Sequence, residues 1–260
     1  PDTVTFRFNT TLTSLADDAS GVDVGFSDGR QGRYDLVVGA DGLHSTVRRL
    51  AFGPEKQFVR HFGYYVALVD LPDTRDWQRA MLNIPGLTVV VRDAGDGPQA
   101  MMLAASAEVD YDYRDLQVQR TLIDGFLSRV DAWQVPALRA AFADPAAKGF
   151  YFDSVSQTHM PSWTHGHVAV IGDAGHCGAL LSGMGTTLAM VSAETLATTW
   201  TECDGNLATA SPLHHERLRP YVEQCQAFAH EGAPIMVPAT QEALDVRNAT
   251  FREHAARFAA

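Results

Sequence analysis

The feature that most constrains this chain is a pair of short apolar runs, each ending in a Gly/Asp loop. Leu36-Val37-Val38 runs into Gly39-Ala40-Asp41-Gly42, and about 130 residues further on Val168 to Ile171 runs into Gly172-Asp173. A continuous apolar run of this kind reads as a buried parallel strand, because such strands are covered on both faces. In open α/β sheets, ligands bind beyond the carboxyl ends of the strands. Two such strand ends predict the two walls of one site. Either motif taken alone also reads as an ordinary tight turn.

Each wall carries its own chemistry. In the first motif, Gly39 and Gly42 let backbone approach a ligand closely, and Asp41 accepts hydrogen bonds from hydroxyls or ordered water. Ser45 is placed to cap the following helix, and Arg48 offers a bidentate cation. In the second, an ionised Asp173 is acceptor-only and suits the hydroxyl-rich ribityl or ribose part of a nucleotide cofactor. Gly183-Met184-Gly185 then opens a helix from Thr186, turning unpaired N–H groups and the positive helix end toward whatever lies above. A phosphate or an electron-rich carbonyl oxygen fits there, and a loop-to-helix entry with no ligand is the plainer alternative.

The remaining chain divides by pattern. Val4 to Phe8, Thr10 to Leu15 and Val22 to Phe26 alternate as strands of a small antiparallel meander, and a short helix is predicted from His44 to Phe52. Strands dominate from Phe58 to Leu103, including Gly86 to Val91 and Pro98 to Leu103 after the Asp93-Ala94-Gly95-Asp96-Gly97 turn. Helical spacing follows at Leu122 to Val130 and Pro136 to Phe142, then a return strand from Gly149 to Val155. Helices are expected at Thr186 to Trp200, around Leu218 to Phe228, and from Thr240 to Phe258. The domain division this predicts is 1–57, 58–157 and 158–260.

Composition narrows the function. With 20 Lys+Arg against 31 Asp+Glu the net charge is −11, which opposes binding to nucleic acid. Three scattered cysteines (Cys177, Cys203, Cys225) form neither a disulfide framework nor a zinc pattern, so a reducing, cytoplasmic setting is expected. No apolar run is long enough to span a membrane. His165-Gly166-His167 lacks a third metal ligand nearby and reads as a solvated turn, and His44 and His214-His215 read as surface residues. His176 reads as structural and Cys177 as a small buried thiol. Phe62, Tyr64, Tyr65, Met81, Met101 and Met102 are candidates for an apolar pocket, but core packing of a sheet accounts for most of them equally well, and no more than two or three are expected to face a ligand. No catalytic triad or carboxylate pair stands out, consistent with chemistry carried by a cofactor.

DLVVGADGLHSTVR followed by VIGDAGH and GMG resembles the FAD-dependent aromatic hydroxylases, the single-component flavin monooxygenases of the para-hydroxybenzoate hydroxylase type. The resemblance covers the chain from about Tyr34 to Tyr221. It implies an α/β (α+β) fold: part of an FAD-binding, three-layer Rossmann-like domain, a β-sheet substrate-binding domain laid over the flavin, and C-terminal helices. It also implies FAD as cofactor, NADPH or NADH as co-substrate, and molecular oxygen with an aromatic or polyketide-like small molecule as reactants. The cofactor-binding residues it implies are Asp41, Gly42, Arg48, Gly172, Asp173, Gly183, Met184 and Gly185, with no catalytic side chain and no metal. Asp41 and Gly42 would lie near the pyrophosphate, with Arg48 anchoring their loop; Gly172 and Asp173 would hold the ribityl and pyrophosphate region. N–H groups of Gly183 to Gly185 would face the flavin's pyrimidine edge.

Two departures stand out. The loop Cys177-Gly178-Ala179-Leu180-Leu181-Ser182 lacks the proline the family carries there, and no G-x-G-x-x-G occurs anywhere in the chain. With Pro1 entering almost directly on a strand, the chain is expected to be the carboxyl-terminal part of a longer enzyme, with the missing segment supplied in the same gene product or as a separate chain. Rival expectations are another flavin oxidoreductase on this fold (a reductase, dehydrogenase or halogenase), a non-catalytic binding fragment, and a methyltransferase-like fold, which would leave the second motif unexplained.

Overall fold

The computed structural model describes residues 3–72, 81–95, 97–132 and 134–258. Pro1 and Asp96, both used in the sequence reading, lie outside the described residues. The chain forms two compact units, residues 1–60 with 156–229 and residues 61–155 with 230–260. The fold is α+β.

In the first unit, β1 (Leu12–Asp18), β2 (Gly21–Phe26) and β3 (Gln31–Tyr34) form an antiparallel meander in which two of the predicted strands are present and the third, β3, is one the sequence did not predict; Leu15 lies opposite Val24 and Val24 opposite Gly32. Asp18 Oδ1 accepts from the Ser20 N–H at 2.7 Å and so fixes the turn between β1 and β2. Val22 and Val24 are buried while Asp23 between them is exposed, the period-two alternation of a one-sided sheet. Residues 4–8 do not form the strand that their alternation predicts. Phe6 and Phe8 are 77% and 83% exposed, and alternation without a partner ladder gives the backbone nothing to bond to.

A second small sheet, order β10-β11-β4, holds the two diagnostic runs. β4 (Val37–Gly39) and β11 (Val168–Val170) pair in parallel, with Val38 opposite Ala169 and Gly39 opposite Val170, and β10 (Thr164–His165) adds antiparallel. β11 is buried throughout, but Val38 is 40% exposed, so β4 is less covered than its apolar run predicts. α1 (Thr46–Ala51) follows β4, and α4 (Asp173–His176) and α5 (Gly185–Glu202) follow β11. Val47, Val168, Val170 and Leu188 join Val22 and Val24 in one core.

In the second unit the sheet order is β6-β7-β8-β5-β9, built from β5 (Val59–Asp70), β6 (Met81–Ile84), β7 (Leu87–Asp93), β8 (Pro98–Ala105) and β9 (Tyr151–Thr158). β6 is an addition to the predicted strands. One face carries Tyr65, Val69, Val89 and Met102 and is buried under α2 (Leu116–Leu127) and α3 (Val135–Ala143) through Ile123, Leu127, Leu138 and Phe142. Asp115 caps α2 by accepting from the N–H groups of Gln117 and Val118. Tyr65 and Met102, two of the pocket candidates, thus belong to the core. On the opposite face the register lines up Leu68, Met101, Val90 and Met81 across four strands, half-buried except Met81, which is 48% exposed.

α6 (Leu207–Met236) and α7 (Gln241–Phe258) complete the chain. α6 starts well before the predicted stripe, so His214 lies inside it and is 1% exposed, not on the surface. Asn206 sets the early start by accepting from the N–H of Ala208 at 3.0 Å. No helix among the described residues is long and apolar enough to cross a membrane. No group of three or more metal-ligating side chains occurs among the described residues.

Candidate functional site

Parallel pairing brings the carboxyl ends of β4 and β11 side by side, so the loops that follow them face one space. A pocket of about 400 Å³ lies there, lined by Ala40, Gly42, Ile171, Gly172, Asp173, Gly185, Thr186, Ala189 and Met190. Gly42, Gly172, Asp173 and Gly185 are among the sequence-predicted residues; Asp41, Arg48, Gly183 and Met184 do not line the pocket.

Asp41 is turned toward α1. Its carboxylate accepts from the Ser45 hydroxyl and from the N–H groups of Thr46 at 2.7 Å and Val47 at 3.1 Å, satisfying donors that a helix start leaves open. Ser45 in turn accepts from the Arg48 N–H at 2.9 Å, as its capping role predicts. Arg48 is 1% exposed and spans the two loops: Nη1 donates to the Ala174 carbonyl at 2.8 Å and Nη2 to the Leu43 carbonyl at 2.5 Å. Burial pulls its guanidinium below the usual arginine range, and the charges of Glu55 and then Asp41 oppose that shift. His44, expected on the surface, is half-buried, with Nδ1 2.9 Å from Glu55 Oε1.

The second wall is set by backbone. Gly172 has φ 58° and ψ −142°, a combination essentially reserved for glycine, and a Cβ there would lie 3.3 Å from the Ala189 methyl. The chain turns sharply at this point and presents Asp173 to the pocket. Gly183 closes a short 3-10 turn, Leu180–Ser182, in the left-handed conformation, and Met184 precedes α5. The N-cap residue Met184 makes no side-chain hydrogen bond to the helix, so α5 begins without the side-chain cap that would occupy its first-turn N–H groups. Cβ atoms built at Gly42, Gly183 or Gly185 would meet nothing within 4 Å.

A buried polar cluster backs α4. His176 Nε2 lies 2.8 Å from the Ser192 hydroxyl, and both residues are fully buried. The Trp163 ring sits edge-on to His176 at 5.1 Å and to His214 at 5.7 Å, and Arg219 lies over its face. Burial first, then the neighbouring His214, lowers the His176 pKa to about 4, and burial lowers that of His214 to about 4.

Sequence reading missed Thr186, Ala189 and Met190, although helical spacing from Gly185 reaches Ala189 one turn on and so gave a usable signal. Glu55 was missed for want of a local signal, since its partner Arg48 meets it only through the fold.

A family model described as an FAD binding domain matches residues 2–231. An uncharacterized protein of Mycobacterium tuberculosis is 32% identical over 257 residues, covering 96% of this chain and 68% of that protein. A flavin-dependent monooxygenase of Legionella longbeachae is 33% identical over 226 residues, covering 85% of this chain and 57% of the relative. This chain belongs to the FAD-dependent aromatic hydroxylase family. The solved structure of tetracycline destructase Tet(55) superposes with a TM-score of 0.79 at 29% identity, over 93% of this chain and 65% of that one.

The pocket fits what a member of the FAD-dependent aromatic hydroxylase family requires. A carboxylate suits cofactor hydroxyls, an uncapped helix start suits phosphate or carbonyl oxygen, and glycines with open space beside them admit a flat or extended group.

Proposed function

We propose that this chain serves an FAD-dependent, NAD(P)H-consuming monooxygenase that hydroxylates an aromatic or polyketide-like small molecule. The observation that carries the reading is the pocket at the paired ends of β4 and β11, with Asp173 on one side and the uncapped start of α5 on the other. FAD, when bound, supplies the redox and oxygen chemistry. The chain's own contribution is to bind and orient. Asp173 accepts from ribityl or ribose hydroxyls, and the backbone of Gly42 and Gly172 admits close approach. The first-turn N–H groups of α5 donate to an electron-rich oxygen. Ala40, Ile171, Ala189 and Met190 give the pocket an apolar wall that displaces water.

Asp41 and Arg48 enter this reading as organisers of the first loop, with Gly183 and Met184 setting the entry to α5. The row Leu68, Met101, Val90 and Met81 is the apolar surface assigned to the substrate.

The test is to incubate the complete gene product that contains this chain with FAD, remove free cofactor, and record visible absorbance, then follow NAD(P)H oxidation with a panel of phenols and polyketides. Bound flavin with substrate-stimulated oxidation is the expected result. Protein that stays colourless after reconstitution rejects the cofactor assignment, and oxidation indifferent to every aromatic tried rejects the substrate class.

A further inference from the structure

We propose that Glu55 is a positioning residue of the cofactor pocket: its carboxylate holds the buried Arg48 guanidinium where it ties the loop after β4 to the loop after β11. The inference rests on the reading of this pocket as the FAD site.

Arg48 is a cation almost without water, and the two carbonyls it reaches, Leu43 and Ala174, carry no net charge. A desolvated charge requires a counter-charge in good geometry. Glu55 Oε2 supplies it at 3.0 Å from Nη2. The position of Arg48 matters because Leu43 follows Gly42 and Ala174 follows Asp173, so one guanidinium spans the two walls of the pocket. Glu55 also holds the first loop directly, through the contact of Oε1 with His44 Nδ1, two residues beyond Gly42.

The local chain delivers Glu55 for this purpose. Pro54, with φ −64° and ψ 144°, leads into a single 3-10 turn, Glu55–Gln57, closed by the Gln57 N–H on the Pro54 carbonyl at 3.0 Å. The carboxylate therefore stands on a stiff short turn, while its two partners lie on the loop and helix after β4.

The test uses the complete gene product that contains this chain and three readouts: the FAD dissociation constant, the visible circular dichroism of bound flavin, and the urea midpoint of the apo-protein. Wild type must first bind FAD; if it does not, the cofactor reading fails and this inference falls with it. Given binding, E55Q is expected to weaken FAD about tenfold and alter the flavin dichroism, and E55D to recover most of both. In an R48M background, E55Q is expected to add less than about twofold, because the charge it serves is gone. If E55Q alone does not fold, R48M against R48M/E55Q carries the same comparison. Folded E55Q with wild-type affinity and dichroism overturns the proposal, and so does a full additional loss in the R48M background.

Discussion

The Ser192 hydroxyl lies 2.8 Å from His176 Nε2 at a point where neither residue touches solvent, and His214 of α6 stands close enough to bias the same ring. Both histidines have pKa values lowered to about 4 from 6.5, mainly by burial, so the folded protein keeps them neutral where the unfolded chain is protonated. The stability they contribute is fully present above pH 6.5 and is lost as pH falls from there toward about 4. Between about pH 7 and pH 5 the loss is about 2 kcal/mol per histidine. Urea midpoints across that range measure it, and His214→Gln is expected to make the slope shallower without abolishing it, because burial also lowers the pKa values of His159, His176 and His215. A flat profile contradicts the burial argument.

Asp41 is expected to act on stability before it acts on the cofactor. Its carboxylate serves the Ser45 hydroxyl and two N–H groups of α1, so Asp41→Ala removes a helix cap worth about 0.5–2 kcal/mol. Asp41→Asn keeps an acceptor and is expected to cost less. Titrating FAD into both variants separates the roles. Affinity that follows stability supports the cap, whereas a stable Asp41→Asn that no longer binds FAD shows that the carboxylate contacts the ligand.

What the sequence made legible was local. An apolar run that ends in glycine carries its own signal, and β4 and β11 with their loops fall where that signal places them. The direction of Asp41 was not legible, because an acceptor before a helix suits both a ligand hydroxyl and the helix's own N–H groups. His214 was misread for a related reason. It stands before the apolar stripe that begins at Leu218 and so reads as outside the helix, but Asn206 caps the helix earlier and carries the histidine into the interior. The Arg48–Glu55 pair depends on a turn whose final position is a tertiary fact. Residues 4–8 show the opposite error: alternation is necessary for a strand, but a partner ladder is also needed.

Gly172→Ala is expected to be severe out of proportion to one methyl group. The residue sits at φ 58°, ψ −142°, and the added Cβ would approach Ala189 Cβ to 3.3 Å, so backbone strain and crowding act together. A cost of about 1–3 kcal/mol is expected from the backbone alone. The double variant Gly172→Ala/Ala189→Gly relieves only the crowding and, measured against Ala189→Gly alone, which itself costs about 0.5–1 kcal/mol inside α5, is expected to restore a minor part of the urea midpoint. Full restoration means that crowding, not conformation, is what the glycine avoids.

Ala179 presents the converse case. It lies in the loop that lacks the family's proline, is 4% exposed, and takes φ 68° with ψ 150°, a region that an L-residue with a Cβ enters only under strain. The surrounding chain enforces it: the Ala179 carbonyl accepts from the Ser182 N–H at 3.1 Å and from the Ser182 hydroxyl at 2.8 Å, closing the turn that leads to α5. Ala179→Gly relieves a strain of about 1–3 kcal/mol and gives back about 0.5–1 kcal/mol as unfolded-state entropy. A net gain of about 1 kcal/mol is therefore expected, read as a higher urea midpoint at unchanged slope. A midpoint that falls means the methyl group packs well enough to outweigh its strain. Because this loop sets the approach to the first N–H groups of α5, FAD affinity in the same variant tests whether the strained turn also serves the ligand. Stabilisation with weaker binding is the outcome expected if it does.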